Sequence, residues 1–79
     1  MRQNLPDGYG FQALIEALTI LENYAPTAMF PTSCEHYVLY VHAKGPPHVA
    51  PVDVLRLEVL GFVWNGDVPA WESFRFGST

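Results

Sequence analysis

Apolar and polar residues follow two different periods along this chain, which predicts helices separated by short strands. Residues 11–25 carry apolar side chains at the three- and four-residue spacing of a helix, and Pro26 ends that segment. We expect the core stripe of this first helix to consist of Phe11, Leu14, Ile15, Leu18 and Leu21. A second apolar flank fits core packing or an oligomer contact, and its members are Ala13, Ala17, Ile20 and Tyr24.

Residues 34–43 change to the two-residue alternation of a strand. One side of this predicted strand is an apolar row suited to a core, formed by Tyr37, Leu39, Val41 and Ala43. The other side would collect most of the reactive side chains of the protein: Cys34, His36, Val38, Tyr40 and His42. The segment is therefore the first place to look for a binding surface or a metal site.

A stiff, proline-rich connector over residues 44–51 leads into a second predicted helix. Pro51 fits the first helical position, where its missing N–H costs nothing, and Gly61 fits the left-handed position that follows a helix end. The helix should run to about Leu60. Its expected inward stripe consists of Val52, Leu55, Val59 and Leu60.

Two further strands are predicted over residues 62–65 and 70–76, joined by a hairpin turn over residues 65–69 with Asn65-Gly66 as its core. Phe74 and Phe76 indicate which face of the last strand meets the core. The expected fold is α+β in the order α-β-α-β-β, a three-stranded sheet with two helices packed on one face. The last strand either returns between the other two, in a split βαβ arrangement, or is added at an edge as a simple hairpin.

The length of 79 residues predicts a single domain over residues 1–79, in which residues 1–10 form an irregular N-terminal arm. Hydrophobic residues make up 49% of the chain and aromatic residues 14%. A domain this small cannot bury all of that apolar material. We therefore expect exposed aromatic side chains, or a partner or second copy that covers them.

Charge and targeting features narrow the class of partner. The formal charge is −4, and the basic residues Arg2, Lys44, Arg56 and Arg75 are scattered, so we expect no direct binding to nucleic acid. The single cysteine excludes an internal disulfide. Because the chain shows neither a signal peptide nor a membrane span, we expect a cytoplasmic protein that does not insert into membranes.

Cys34 and His36 are the candidates for metal chemistry. Their spacing on a strand would direct a thiolate and an imidazole to the same side, and both are good zinc ligands. A tetrahedral site needs four donors, and His42 would lie too far along the strand to join them. A histidine-activated cysteine nucleophile would also need a cleft and an orienting partner. We therefore expect no enzyme and no cofactor, and keep a zinc-stabilised module as an alternative.

Surface recognition is the favoured hypothesis. The sheet face away from the helices is expected to present Tyr40, Trp71 and Arg75 with His36 and His42 beside them. Tyrosine, tryptophan and arginine are enriched at the energetic centres of protein interfaces. Met29 and Phe30, held between two prolines, form an outlying apolar anchor.

Three spaced segments resemble a pattern in small uncharacterised proteins of bacteriophages and mobile elements. They are Cys34-x-His36, Leu60-Gly61-Phe62 and Phe74-Arg75-Phe76-Gly77-Ser78, so the resemblance spans roughly residues 34–78. In that pattern an aspartate follows the histidine, whereas this chain has Tyr37. The resemblance implies a small antagonist of host machinery, such as a CRISPR effector, and supplies no catalytic residues.

The sequence thus predicts a protein-binding module, and with the resemblance we interpret it as a phage-type inhibitor that sterically blocks a host protein complex. Two alternatives stay open: the zinc-stabilised module centred on Cys34 and His36, and a self-associating structural protein such as a homodimer.

Overall fold

The computed structural model describes residues 5–25, 27, 29 and 31–77. Within this part of the chain there are two helices and four strands. In chain order they are α1 (Gly10–Glu22), β1 (Thr32–Glu35), β2 (Val38–Val41), α2 (Pro51–Val59), β3 (Val63–Asn65) and β4 (Ala70–Ser73). The predicted α+β class is confirmed.

The four strands form one sheet in the order β1-β2-β4-β3, with every neighbouring pair antiparallel. Because β4 is antiparallel to both β2 and β3, those two strands run parallel to each other. The unit β2-α2-β3 is therefore a split βαβ arrangement with β4 inserted between its strands, which was the first of the two predicted topologies. The prediction of three strands is wrong, because β1 is an additional strand at the edge.

The additional strand arises where the segment predicted as a single strand turns back on itself. His36 and Tyr37 have φ values of 53° and 70°, the positive values of a two-residue hairpin turn. Such turns normally use Asn-Gly, so the sequence carried no obvious sign of it. The hairpin sets Cys34 opposite Leu39, and residues directly opposite each other share a face. Since Tyr40 lies on the other face, the predicted single row from Cys34 to His42 is wrong.

Both helices pack on the sheet face that carries Val41 and Trp71. The buried cluster draws residues from the helices, the sheet and the segments beside them: Ala13, Ala17, Leu21, Val41, Val49, Leu57, Leu60, Phe62 and Trp71. Trp71 and Phe62 are its largest members and have no exposed surface. Two aromatic side chains therefore supply much of the volume of the core.

The inner side of α1 is formed by small residues. Ala13, Ala17 and Leu21 are buried at four-residue spacing, and Ile20 and Tyr24 pack against the same cluster. Except for Leu21, these residues belong to the second apolar flank of the sequence prediction, not to its predicted core stripe. Small side chains on this side of α1 leave room for Trp71 and Phe62, which fill the space between the helix and the sheet.

The outer side of α1 carries the residues that were predicted as its core stripe. Phe11 is 83% exposed, Ile15 52% and Leu18 37%. Only Leu14, which is partly buried, and Leu21 take the predicted inward position. The predicted stripe is therefore wrong for Phe11, Ile15 and Leu18, which we call the outer stripe of α1.

The last strand is shorter than predicted and ends at Ser73. Its hydroxyl accepts a hydrogen bond from the main-chain N–H of Phe76 at 3.1 Å, which turns the chain out of the sheet. Phe74 consequently points into solvent, and its predicted place on the core face is wrong. Phe76 does reach the core, where its ring stacks on that of Phe62 with 5.8 Å between centroids.

Three local predictions are confirmed. Helix α2 begins at Pro51, and Gly61 has a φ of +92°, the left-handed conformation expected just after a helix end. Strands β3 and β4 form the predicted hairpin after Asn65. The side-chain oxygen of Asn65 accepts the N–H of Asp67 at 2.9 Å, which stabilises the start of the turn.

Candidate functional site

Trp71 was predicted to centre an exposed recognition face, and the structure places it in the core. Its side chain has no exposed surface, and its indole N–H donates to the carbonyl oxygen of Lys44 at 3.0 Å. The ring meets Trp64 edge to face, with 5.6 Å between centroids. The predicted exposure of Trp71 is therefore wrong. Alternation along β4 had been assigned to the wrong faces because Phe74 was counted as a core residue.

Arg75 holds the N-terminal arm to the end of α2. Its guanidinium donates to the carbonyl oxygen of Gly8 and, at 2.9 Å, to that of Val59, and it lies 3.9 Å from the centre of the Tyr9 ring. Carbonyls at a helix C-terminus lack partners within the helix and attract cations. Arg75 is exposed, but its guanidinium donates its hydrogen bonds to carbonyl groups of the protein itself.

The remaining predicted contact residues are dispersed. Tyr40 and His42 lie on the sheet face away from the helices, where Tyr40 is half-buried opposite Glu72 and His42 is exposed. A ring nitrogen of His42 lies 2.9 Å from the Ser33 hydroxyl. His36 is exposed at the tip of the hairpin. Met29 is exposed in the loop before β1, and Phe30 lies outside the described residues.

The donor set around Cys34 does not fit a zinc site. Cys34 is exposed on β1 and His36 stands in the adjoining turn, away from the extended geometry on which the prediction depended. Among the described residues no group of three or more histidine, cysteine, aspartate or glutamate side chains could hold a metal ion. A structural zinc site needs four ligands.

The polar residues of α2 face α1. The hydroxyl of Tyr24 donates to Asp53 at 2.5 Å, and this hydrogen bond to a carboxylate raises the pKa of Tyr24 above its ordinary value. Arg56 bonds Glu16 at 2.5 and 2.8 Å and Asp7 at 2.8 and 3.0 Å. The guanidinium lowers the pKa of both carboxyl groups, and they in turn raise the pKa of Arg56.

This orientation leaves the predicted inward stripe of α2 in solvent. Val52 is 70% exposed, Leu55 64% and Val59 46%, whereas Leu57 and Leu60 are buried. The prediction is therefore right only for Leu60. Periodicity identified the stripe correctly but not the direction in which it points. That direction depends on the contacts of Asp53 and Arg56 with residues that are remote in sequence: Tyr24, Glu16 and Asp7.

A shallow apolar groove of about 450 Å³ adjoins this stripe. Its walls come from the proline connector and the first turns of α2: Pro46, Pro47, Val49, Pro51, Val54 and Leu55. We call the groove and the stripe of Val52, Leu55 and Val59 together the α2 surface. Its flank carries Glu58, which is exposed. The sequence identified the stripe and the proline-rich connector but assigned neither of them to binding.

No protein-family model, curated protein or solved structure matches this chain. Neither helix of the described residues has the length and apolar character that a membrane span requires.

Proposed function

We propose that this protein is a small binding module for another protein, and that the α2 surface is its contact. The observation that carries the proposal is the exposure of Val52, Leu55 and Val59 at helical spacing beside an apolar groove. A contiguous apolar patch of this kind costs a monomeric protein solubility, and such patches are typical of interaction sites.

The surface is also stiff. Pro46, Pro47 and Pro51 restrict the connector, and Val49 is buried and fixes it to the core. A partner that docks against fixed groups orders fewer side chains on binding and keeps more of its contact energy as affinity.

Charge around the surface indicates the chemistry of the partner. Arg56, the cation nearest to the stripe in sequence, is already neutralised by Asp7 and Glu16. Glu58 remains exposed on the flank, and the chain carries a net charge of −4. We therefore propose an apolar partner segment rimmed by lysine or arginine, because such a segment complements both the centre and the edge of the surface.

The narrower proposal is a phage-type inhibitor that acts in the cytoplasm of a host by covering a functional surface of a host complex, such as a CRISPR effector. Its support is the resemblance over residues 34–78 together with the size and acidity of the chain. Binding alone produces such an effect by steric occlusion, and no catalytic group is required.

The test is affinity capture from the native host with the wild-type protein and with Leu55→Lys, followed by calorimetry with the purified partner. Leu55 is exposed, so the substitution should leave the fold intact. Placing a charge in the apolar centre should weaken binding by roughly 100-fold. The activity of the captured complex, measured with and without the wild-type protein, then tests inhibition.

Thr19→Lys is the matched control, since it adds the same charge at an exposed position on α1. It should retain the partner at nearly wild-type affinity. Equal binding by Leu55→Lys and the wild-type protein would remove the α2 surface from the proposal. Tyr40→Ala and His42→Ala, tested in the same assay, examine the sheet face on which contacts were first predicted.

A further inference from the structure

Strand β1 lies at the edge of the sheet with its free side in solvent. All of its residues, Thr32–Glu35, are exposed, and no other described strand pairs with that side. The main-chain N–H of His42 donates to the carbonyl oxygen of Pro31 at 2.8 Å, which identifies these opposed residues as a hydrogen-bonded pair. Because such pairs alternate in an antiparallel ladder, Ser33 bonds β2 while the N–H and C=O groups of Thr32 and Cys34 point outward.

The outer stripe of α1 lies beside this free edge. Helix α2 packs against β3 at the opposite end of the sheet and bonds α1 through Arg56 and Glu16. The side of α1 away from Glu16, which carries the outer stripe, therefore faces the β1 edge. Leu18 and Thr32 line the same groove of about 210 Å³. We call this continuous region the α1-β1 surface.

We infer that a second copy of the chain occupies the α1-β1 surface, with the two β1 strands paired antiparallel about a two-fold axis. The sheet would then continue through both copies, and the two outer stripes of α1 would meet on one side of it. A two-fold interface requires a surface that complements itself. An unpaired strand edge can pair with the same edge of a second copy, and an apolar stripe can pack against the same stripe, so both meet this requirement.

Charge favours the same occupant. Phe11, Ile15, Leu18, Thr32 and Cys34 are uncharged, and the cluster of Asp7, Glu16 and Arg56 lies on the other side of α1. The acidic residues at this surface are Glu22, which lines the groove with Leu18 and Thr32, and Glu35; each is the last residue of its element, so the middle of the contact carries no charge. Within Thr32–Glu35 there is no lysine and no proline, the residues that commonly protect an edge strand from pairing.

The accessible area is also consistent with a dimer. The chain exposes 5637 Å². A monomeric protein of its mass, 8.9 kDa, is expected to expose about 4,800 Å². The excess of roughly 800 Å² is spread over all exposed parts of the chain, the N-terminal arm and the α2 surface included, and is of the order of the share that one partner buries in an interface of standard size.

The hydrogen-bond pattern fixes the register of the two strands. With the axis at Ser33, Thr32 of each copy opposes Cys34 of the other, so both outward-facing residues form hydrogen-bonded pairs. With the axis at Cys34, only that residue pairs with itself, because the next candidate, His36, stands in the turn with a φ of 53°. The structure therefore assigns Ser33 to the axis, with Cys34 enclosed between the two outer stripes.

Sedimentation equilibrium over a wide concentration range tests the dimer. The wild-type protein should show a monomer-dimer equilibrium, and Ile15→Lys should weaken it by at least roughly 100-fold, because the charge enters from both copies. Asn23→Lys, which adds the same charge at an exposed position on the Glu16 side, just after the end of α1, should dimerise like the wild type. Circular dichroism should show an unchanged fold in both variants. A wild-type monomer at every concentration, or an unaffected Ile15→Lys dimer, would overturn the inference.

Disulfide trapping tests the register. In a Cys34→Ser background, Ser33→Cys should form a covalent dimer on mild oxidation, since directly opposed residues at this position lie about 4.5 Å apart between Cα atoms. The native Cys34 should not cross-link, because its diagonal partner is about 7–8 Å away. Cross-linking through Cys34 and not through Ser33→Cys would overturn the assigned register.

Leu55→Lys separates this inference from the proposed function. It should dimerise normally while losing the protein partner, whereas Ile15→Lys should lose the dimer and keep the partner. Loss of both activities in Ile15→Lys alone, with a folded protein, would contradict the assignment of two separate surfaces.

Discussion

The two apolar sides of α1 differ in residue size and have opposite environments. The inner side consists of Ala13, Ala17 and Leu21 and is buried, while the outer side carries Phe11, Ile15 and Leu18 in solvent. The difference shows that the bulk of this core comes from Trp71 and Phe62, and that α1 contributes mainly small side chains packed against them. The larger residues of the helix stay exposed beside a free strand edge, where we propose contacts between two molecules.

Trp71→Ala should have the largest effect, because it removes the main source of core volume and leaves the Lys44 carbonyl without its donor. We expect a loss of about 3–5 kcal/mol in the free energy of unfolding. That is comparable with the whole stability of a domain this small. Urea denaturation followed by circular dichroism measures it.

Phe11→Ala is the control for that substitution, since it removes an aromatic side chain from the outer side. In dilute solution it should change the free energy of unfolding by no more than about 0.5 kcal/mol. Similar losses of unfolding free energy in the two variants would show that the outer side also stabilises the monomer, and would contradict the difference drawn between the two sides of α1.

Ala17→Leu should also destabilise the fold, by a smaller amount and for a different reason: it adds volume to a packed core instead of removing it. Ala17 has no exposed surface, so three further carbon atoms must displace the helix or its neighbours. We expect a loss of about 1–3 kcal/mol, measured by the same denaturation. Thr19→Leu, on an exposed position of the same helix, should be nearly neutral. A neutral Ala17→Leu would mean that Ala17 is not tightly packed against its neighbours.

The smallest expected effect concerns the contribution of the Arg56 ion pairs to stability and its dependence on pH. The ordinary pKa values of Asp7 and Glu16 are 3.8 and 4.5, and Arg56 lowers both in the folded state. The unfolded chain therefore takes up protons first as the pH falls. The stabilisation is complete above the ordinary values and disappears as the pH drops through the lowered ones.

Thermal unfolding of the wild type and of Arg56→Met at a series of pH values measures this effect. The melting temperature of the wild type should exceed that of the variant at neutral pH, and the difference should shrink below about pH 4. Because these groups are exposed, the difference should be small and should fall further at high salt. A difference that stays constant down to pH 2 would contradict the role assigned to Arg56.

Features with short-range causes were predictable from the sequence. Pro51 at a helix start, Gly61 at its end and the turn after Asn65 depend on the backbone preferences of those residues, which act without the rest of the fold. The hairpin at His36 and Tyr37 was missed because a positive φ is uncommon for any residue other than glycine and is an outlier for one as bulky as Tyr37. Its conformation accompanies the pairing of β1 with β2, which the two-residue alternation of the segment did not reveal.

The candidate surfaces follow the same division. Helical periodicity found the stripes of Phe11, Ile15 and Leu18 and of Val52, Leu55 and Val59, but it assigned both to the core. A chain with more apolar stripes than one small core can cover does not specify which of them is buried.

The sequence by itself determined the α+β class, the positions of both helices and the excess of apolar surface over available core. Only the tertiary structure decided which side of each helix faces inward. Burial of Trp71, from β4, and Phe62, from the segment before β3, left room for alanine but not for phenylalanine on the inner side of α1. The contacts of Tyr24 and Glu16 turned the polar side of α2 toward α1. Both choices depend on residues that are distant in the chain and meet only in the folded molecule.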